Sequence, residues 1–220
     1  MTPLLDARER LLRELAEEVG DRRVLKALAS VPRQLFVPPD LREHAWLNLP
    51  LPIDEGQTIS QPLVVAHMCE LLRLTDTDRV LDVGTGTGYH AALLSRLAGH
   101  VHSIERHEPL SRQAADNLRQ AGIDNVTLVV GDGTLGYADA GPYDAINVAA
   151  ASPDGVPPAL EDQLALGGRM IIPTGRTDRQ TLVLVERVST GEVRRTRLRG
   201  VRFVPLVAGR GSEAGPGRRG

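Results

Sequence analysis

The chain has 220 residues, 41% of them hydrophobic and 25% charged, which is enough for one well-buried domain with a modest extension. A formal net charge of −2, no basic block and only 3% aromatic residues exclude a phosphate-tracking surface and a base-stacking platform, so no nucleic-acid partner is expected. The single cysteine, Cys69, excludes an intramolecular disulfide and a cysteine-built metal site, and the absence of a signal peptide or long apolar span leads us to expect a cytoplasmic protein without membrane contact.

Residues 3–19 carry Leu4, Leu11, Leu15 and Val19 at helical spacing, which predicts an amphipathic helix closed by Gly20. Asp21 is placed to cap a second helix over 24–30, and Pro32 and the proline-bound stretch 34–39 stop it. Trp46, Leu49, Leu51 and Ile53 follow in a loop-rich stretch and need a surface to pack on. The uncharged run GQTISQP, residues 56–62, precedes an apolar helix over 63–74, with Ser60 fitting its N-cap and Pro62 its first turn. Within that helix Cys69 reads as a small core thiol.

From residue 78 strand and helix alternate. Strands are predicted at 79–83, 101–105, 126–130, 145–149 and 169–172, and helices at 90–98, 109–121 and 158–166. The strands are apolar without alternation, as expected for a parallel sheet buried on both faces. Segments 181–187, 192–198 and 201–207 then predict antiparallel strands, the first two joined by a turn at Thr190 and Gly191. The expected fold is α/β: a mostly parallel central sheet with helices on both faces, antiparallel C-terminal strands and an N-terminal helical extension. We expect a single domain over 1–208, divided into an extension at 1–75 and a core at 76–208, with a disordered glycine-rich tail at 209–220.

The chemistry concentrates at the strand ends, where ligands bind in open α/β sheets. The run RVLDVGTGTGYHAA, residues 79–92, is strand, tight loop and helix, with Gly84, Gly86 and Gly88 at alternate positions. Glycines there permit positive φ and close approach of a ligand to the main chain, beside the unpaired N–H groups of a helix start. The dinucleotide fingerprint requires a third glycine where Tyr89 stands, which disfavours NAD. Asp82 would repel a pyrophosphate but suits a sulfonium or ammonium cation. The loop, Asp82 with Gly84, Thr85, Gly86 and Gly88, resembles the first motif of S-adenosylmethionine-dependent methyltransferases with a Rossmann-like fold. Glu105, about 20 residues beyond the glycines, is spaced to accept hydrogen bonds from ribose hydroxyls. Asp132, followed by Gly133, is placed to reach an adenine amino group. The six histidines are read as unpaired at metal-ligand spacing, so no metal is expected.

The blocks VPRQLFVP (31–38), LPIDEGQTISQP (51–62), DRVLDVGTGTGYHAA (78–92), NVTLVVGDG (125–133), PYDAINVAAA (142–151), QLALGGRMIIPTG (163–175) and VRFVPLV (201–207) together resemble the protein-L-isoaspartate O-methyltransferase family, collinearly over about residues 24–207. The glycine loop is shared by many methyltransferases; GQTISQP and the closing FVPL are more diagnostic. The resemblance implies methyl transfer from S-adenosylmethionine, leaving S-adenosylhomocysteine, to the α-carboxylate of L-isoaspartyl residues in damaged proteins, with repair toward aspartate. It implies Ser60 as the active-site serine, Thr58 and Ile59 in the cofactor-covering segment, Glu105 on the ribose, Asp132 and Gly133 at the adenine, and Val204, Pro205 and Leu206 along the substrate backbone. Thr134, Asp54 and Asn147 depart from residues common in the family. The nearest alternative is a related methyltransferase that tailors aspartyl or isoaspartyl residues of one peptide partner. The chain is expected to act as a monomer on isoaspartyl-containing proteins and peptides.

Overall fold

The structure is a computed structural model that describes residues 3–176 and 179–209, with side chains from residue 7 onward. Helix α1 (Pro3–Glu18) buries Leu11 and Leu15, and Val19 follows them into the core; the Leu4 side chain and the tail from residue 210 lie outside the described residues. Gly20 does not close α1 as a left-handed residue. Its amide and that of Asp21 both donate to Glu70 Oε1 at 2.8 Å, so a carboxylate from a later helix fixes the turn. Asp21 does cap α2 (Arg22–Ser30), accepting from Arg23 N at 2.7 Å, and Val24, Ala27 and Leu28 pack inward.

Two 3-10 turns, Arg33–Phe36 and Pro39–His44, lead to the stretch whose Trp46, Leu51 and Ile53 are buried while Leu49 stays exposed. Strands β1 (Leu51–Pro52) and β2 (Thr58–Ile59) pair antiparallel in a miniature sheet that the sequence pattern did not predict. Its turn holds Glu55 at φ 57° and Gly56 at φ 65°. Helix α3 (Pro62–Leu72) begins with Pro62 at its first position, but its N-cap is Gln61 without a side-chain bond, not Ser60. Cys69 is buried, and burial pushes its thiol pKa up, so it remains a protonated core thiol.

The core is built from β3 (Arg79–Val83), α4 (Tyr89–Ser95), β4 (His100–Glu105), α5 (Glu108–Gln120), β5 (Val126–Val130), β6 (Tyr143–Val148), α6 (Pro158–Asp162), β7 (Leu164–Arg176), β8 (Arg179–Ser189) and β9 (Glu192–Val201). The seven strands are ordered β5-β4-β3-β6-β7-β8-β9; β3 to β7 run parallel and β7 to β9 antiparallel. The chain winds outward from β3 to β5 and then returns to β6 on the other side of β3, which makes the C-terminal ends of β3 and β6 the switch point where ligands bind. Alternate residues feed two cores. Val80, Ala145, Ile171 and Leu184 pack with α1 to α5, while Leu81, Val83, Ile146, Val148 and Met170 pack with Leu160 of α6. The N-terminal helices share the first core with the sheet, so they are built into it.

Two expected elements differ. The helix predicted over 158–166 stops at Asp162, and Leu164 to Gly168 belong to β7. Gln163 ends the helix: its Nε2 donates to Ala159 O at 2.9 Å and Leu135 O at 2.8 Å, and its Oε1 accepts from Tyr137 N. The strand expected over 201–207 leaves the sheet after Val201. Pro205 has no N–H to continue a ladder and makes one isolated parallel bridge to Ala151, while the Gln180 side-chain amide satisfies both main-chain groups of Phe203. The helix predicted over 90–98 likewise ends early, at Ser95.

Candidate active site

The three loop glycines all adopt positive φ: 92° at Gly84, 55° at Gly86 and 94° at Gly88. At Gly88, the N-cap of α4, a Cβ would stand 3.2 Å from Ala114 Cβ, so its bareness lets α5 approach the loop. The turn also presents amides. Gly86 N donates to Glu105 Oε2 at 2.9 Å, and His107 N donates to Glu105 Oε1 at 3.0 Å. Glu105 is 6% exposed and lines the cleft, with acceptor positions left over on both oxygens.

Asp82 lies elsewhere than the sequence suggested. It is fully buried and does not line the cleft, because it shares the strand face of Val80 that turns under α4. Its Oδ2 accepts from Ser103 Oγ at 2.7 Å and its Oδ1 from Asn147 Nδ2 at 2.7 Å. Ser103 Oγ lies 2.6 Å from Thr85 Oγ1, so the carboxylate anchors the glycine loop from below through two hydroxyls. Burial pushes Asp82 up to about 6, opposed by the bonds from Ser103 and Asn147. Asn147 Nδ2 also approaches His90 Nδ1 at 3.2 Å, and His90 Nε2 lies 3.6 Å from Cys69 Sγ. Burial drives His90 down to about 3, so it is neutral, and the network assigns its proton to Nε2. The departure at Asn147 is thus a structural tie between Asp82 and His90.

A lid covers the loop. Ile53, Gln57, Thr58, Ile59 and Ser60 line the cleft, and a Cβ on Gly86 would be 3.4 Å from Ile53 Cδ1. Glu55 Oε2 of the lid lies 3.4 Å from His107 Nδ1 in the segment after β4. The Ser60 hydroxyl has no hydrogen-bond partner among the described residues and so is available to a ligand.

Arg33 was missed in the sequence and supports this lid from behind. It is fully buried, donates from Nε to Ala45 O at 2.9 Å and from Nη2 to Ser60 O at 3.0 Å, and lies 4.7 Å from the Tyr89 ring centroid. No carboxylate pairs with it among the described residues, and burial lowers its pKa. Its context in VPRQLFVP, an arginine among apolar residues and prolines, was the available signal.

The opposite wall is Val204, Pro205 and Leu206, docked by Ala151 N to Val204 O and Leu206 N to Ala151 O, both 2.8 Å. Gly133 lines the floor beside it; a Cβ there would meet Val83 Cγ1 at 2.6 Å. Asp132 is not on the cleft wall. Its Oδ1 accepts from Thr134 N and Oγ1, at 2.9 and 2.6 Å, and its Oδ2 from Gly209 N at 2.6 Å. The departure at Thr134 therefore completes a local turn. The space between these walls, counted together with its open mouth, is about 810 Å³.

These residues fit S-adenosylmethionine. Bare glycine backbone and a buried carboxylate with spare acceptors suit its adenosine sugar, and apolar Val83, Ile104 and Ile59 suit flat or aliphatic parts. One expectation fails here: His100 and His102 do form a His-x-His step, with ring centroids 4.8 Å apart. No group of three metal-ligating side chains exists among the described residues.

A family model described as protein-L-isoaspartate(D-aspartate) O-methyltransferase matches residues 6–211. A protein-L-isoaspartate O-methyltransferase from Roseiflexus castenholzii is 54% identical over 192 residues, covering 87% of each chain. Another from Methanoculleus marisnigri is 51% identical over 193 residues, covering 87% of this chain and 86% of that one. Among solved structures, a protein-L-isoaspartate O-methyltransferase superposes with a TM-score of 0.82 at 30% identity, over 91% of this chain and 66% of that one. A Plasmodium falciparum protein given the same type of activity, solved with S-adenosyl-L-homocysteine, reaches 0.78 at 25% identity, over 91% of this chain and 98% of that one.

Proposed function

The chain belongs to the protein-L-isoaspartate(D-aspartate) O-methyltransferase family, and from that premise we propose that it methylates the α-carboxylate of L-isoaspartyl residues in damaged proteins, using S-adenosylmethionine. The observation that carries the reading is convergence on one cleft: the glycine loop and Glu105 below, Ser60 on the lid above, and Val204 to Leu206 opposite. Bound there, S-adenosylmethionine would supply an electrophilic methyl group for a carboxylate oxygen, its sulfonium becoming the neutral thioether of S-adenosylhomocysteine.

The chain's own residues have positioning work to do. The isoaspartyl carboxylate is ionised at neutral pH, so no general base is required. Ser60, whose hydroxyl has no partner among the described residues, orients the carboxylate by donating a hydrogen bond; it is not a nucleophile, because among the described residues no histidine–aspartate pair stands behind it. Glu105 accepts from the ribose hydroxyls. Thr58, Ile59 and Ile53 exclude water, which strengthens the attraction between carboxylate and sulfonium. Gly84, Thr85, Gly86 and Gly133 would hold the cofactor; Gly88, Asp82 and Asp132 act through the loop geometry they hold. Val204 to Leu206 form the wall along which the substrate chain lies. The methyl ester then cyclises, as the following backbone nitrogen attacks its carbonyl and methanol leaves, and the imide opens partly to normal aspartate.

No helix among the described residues is long and apolar enough to cross a membrane. The reading makes 1–208 one catalytic unit, working in the cytoplasm as a monomer. Its test is conversion: prolonged incubation of an isoaspartyl peptide with the enzyme and S-adenosylmethionine should accumulate the normal aspartyl peptide. Persistence of the isoaspartyl form at the rate seen without enzyme counts against it.

A further inference from the structure

Ser60 and Thr58, which line the cleft, also line a second depression, about 1,370 Å³ with its open top. Its floor is apolar, from Pro50, Leu63 and Val64, and its far wall is the end of the β8–β9 hairpin. That wall carries Arg179, Arg199 and Arg202, all exposed, and among the described residues no aspartate or glutamate lines the groove.

The same hairpin treats its other arginines differently. Arg194 pairs with Glu186 at 2.9 Å, and Arg195 pairs with Glu161 at 2.6 Å. Arg179, Arg199 and Arg202 have no carboxylate partner among the described residues, and the side-chain contact of Arg199 is with His67 Nδ1. His67 Nε2 in turn faces Glu18 O at 3.2 Å, so the neighbour of Arg199 here is an imidazole and not a carboxylate. In a chain of net charge −2, three cations without a carboxylate partner among the described residues are thus gathered on one side of the groove lined by Ser60.

Resting on the functional reading above, we propose that this groove receives the polypeptide flanking the isoaspartyl residue and that Arg179, Arg199 and Arg202 select substrates with acidic flanks. The occupant is an extended acidic segment of the damaged protein: its backbone runs over Pro50 and Leu63 while its carboxylates meet the guanidinium groups. The arginines are specificity residues and take no part in methyl transfer. Aspartate- and glutamate-rich segments are therefore the preferred substrate class.

The test uses the full chain and isoaspartyl peptides alike except for glutamate, glutamine or lysine at the two positions on each side. An exposed arginine–carboxylate contact changes binding by up to about fivefold, so the wild type should favour glutamate over lysine flanks by roughly tenfold in kcat/KM, mainly through KM. The preference should shrink as salt shortens the screening length. The Arg179→Gln/Arg202→Gln variant should bring the ratio to within about twofold, and Arg202→Glu should turn it toward lysine. Both sites are exposed, so these variants fold. Equal turnover of all flanks by the wild type, or an unchanged ratio in the variants, overturns the inference alone. Failure to methylate even the glutamine-flanked peptide overturns the functional reading and this inference with it.

Discussion

Replacing Arg33 by methionine removes a support that reaches the lid through the core. Methionine keeps most of the side-chain volume, so the change isolates the guanidinium. Two main-chain carbonyls lose their donors: that of Ala45, which is fully buried, and that of Ser60, at the lid. An orphaned buried carbonyl costs about 1–3 kcal/mol, with the partly exposed Ser60 carbonyl at the lower end. Loss of the cation over the Tyr89 ring adds about 1 kcal/mol. Relief from burying an unpaired charge offsets part of this, leaving a net destabilisation of about 2–4 kcal/mol. For a chain of this size that lowers Tm by roughly 5–12 °C. Because Arg33 Nη2 holds the Ser60 backbone, the peptide KM should rise about tenfold at temperatures where the variant is folded, with less effect on cofactor Kd. Urea unfolding and steady-state kinetics with each substrate varied measure both. A loss under 1 kcal/mol with unchanged peptide KM would refute the assignment of Arg33 as the lid's support.

Ser60→Ala should lower methyl transfer at least tenfold and leave S-adenosylmethionine affinity, read by calorimetry, within about twofold; wild-type turnover would remove Ser60 from the mechanism. Glu105→Gln weakens the charge-assisted bonds to Gly86 and His107 and the sugar contact together, so cofactor Kd should rise about tenfold or more, and an unchanged Kd would place the ribose elsewhere. His90, lowered to about 3, favours folding fully above its unfolded value near 6.5, and that stability is lost as pH falls toward 3. Asp82, raised to about 6, has the opposite sign: its contribution is complete below about 3.8 and is lost as pH rises through 6. His90→Gln should therefore move acid unfolding to lower pH; an unmoved midpoint would mean that His90 is protonated in the fold. Gly88→Ala forces a φ of 94° on alanine and a Cβ 3.2 Å from Ala114, which should cost about 1–3 kcal/mol in thermal denaturation.

Local signals carried the core of the fold. β3 has the predicted bounds, and Asp21 and the glycine loop behave as their spacing suggested, because strand apolarity, caps and positive φ are short-range properties. Asp82 was misjudged because a strand buried on both faces gives no alternation to reveal which way an acid points; only the positions of α3 and α4 decide it. Ser60 resembled an N-cap because a serine two residues before proline satisfies that rule locally, while the lid pairing of β1 with β2 is what shifts the helix start to Gln61. The segment 201–207 has strand composition, yet Pro205 and the Gln180 amide take it out of the ladder and against Ala151. Arg33 depends on partners 12 and 27 residues away, a separation at which sequence pattern carries little information.

The central claim is that the cleft brings an isoaspartyl carboxylate to the methyl group of S-adenosylmethionine. It is tested most directly by incubating the enzyme with methyl-labelled cofactor and two peptides that differ only in an isoaspartyl or aspartyl linkage. Base-labile label on the isoaspartyl peptide and none on its twin is the expected result. Label on the aspartyl peptide alone, or on neither, would contradict it.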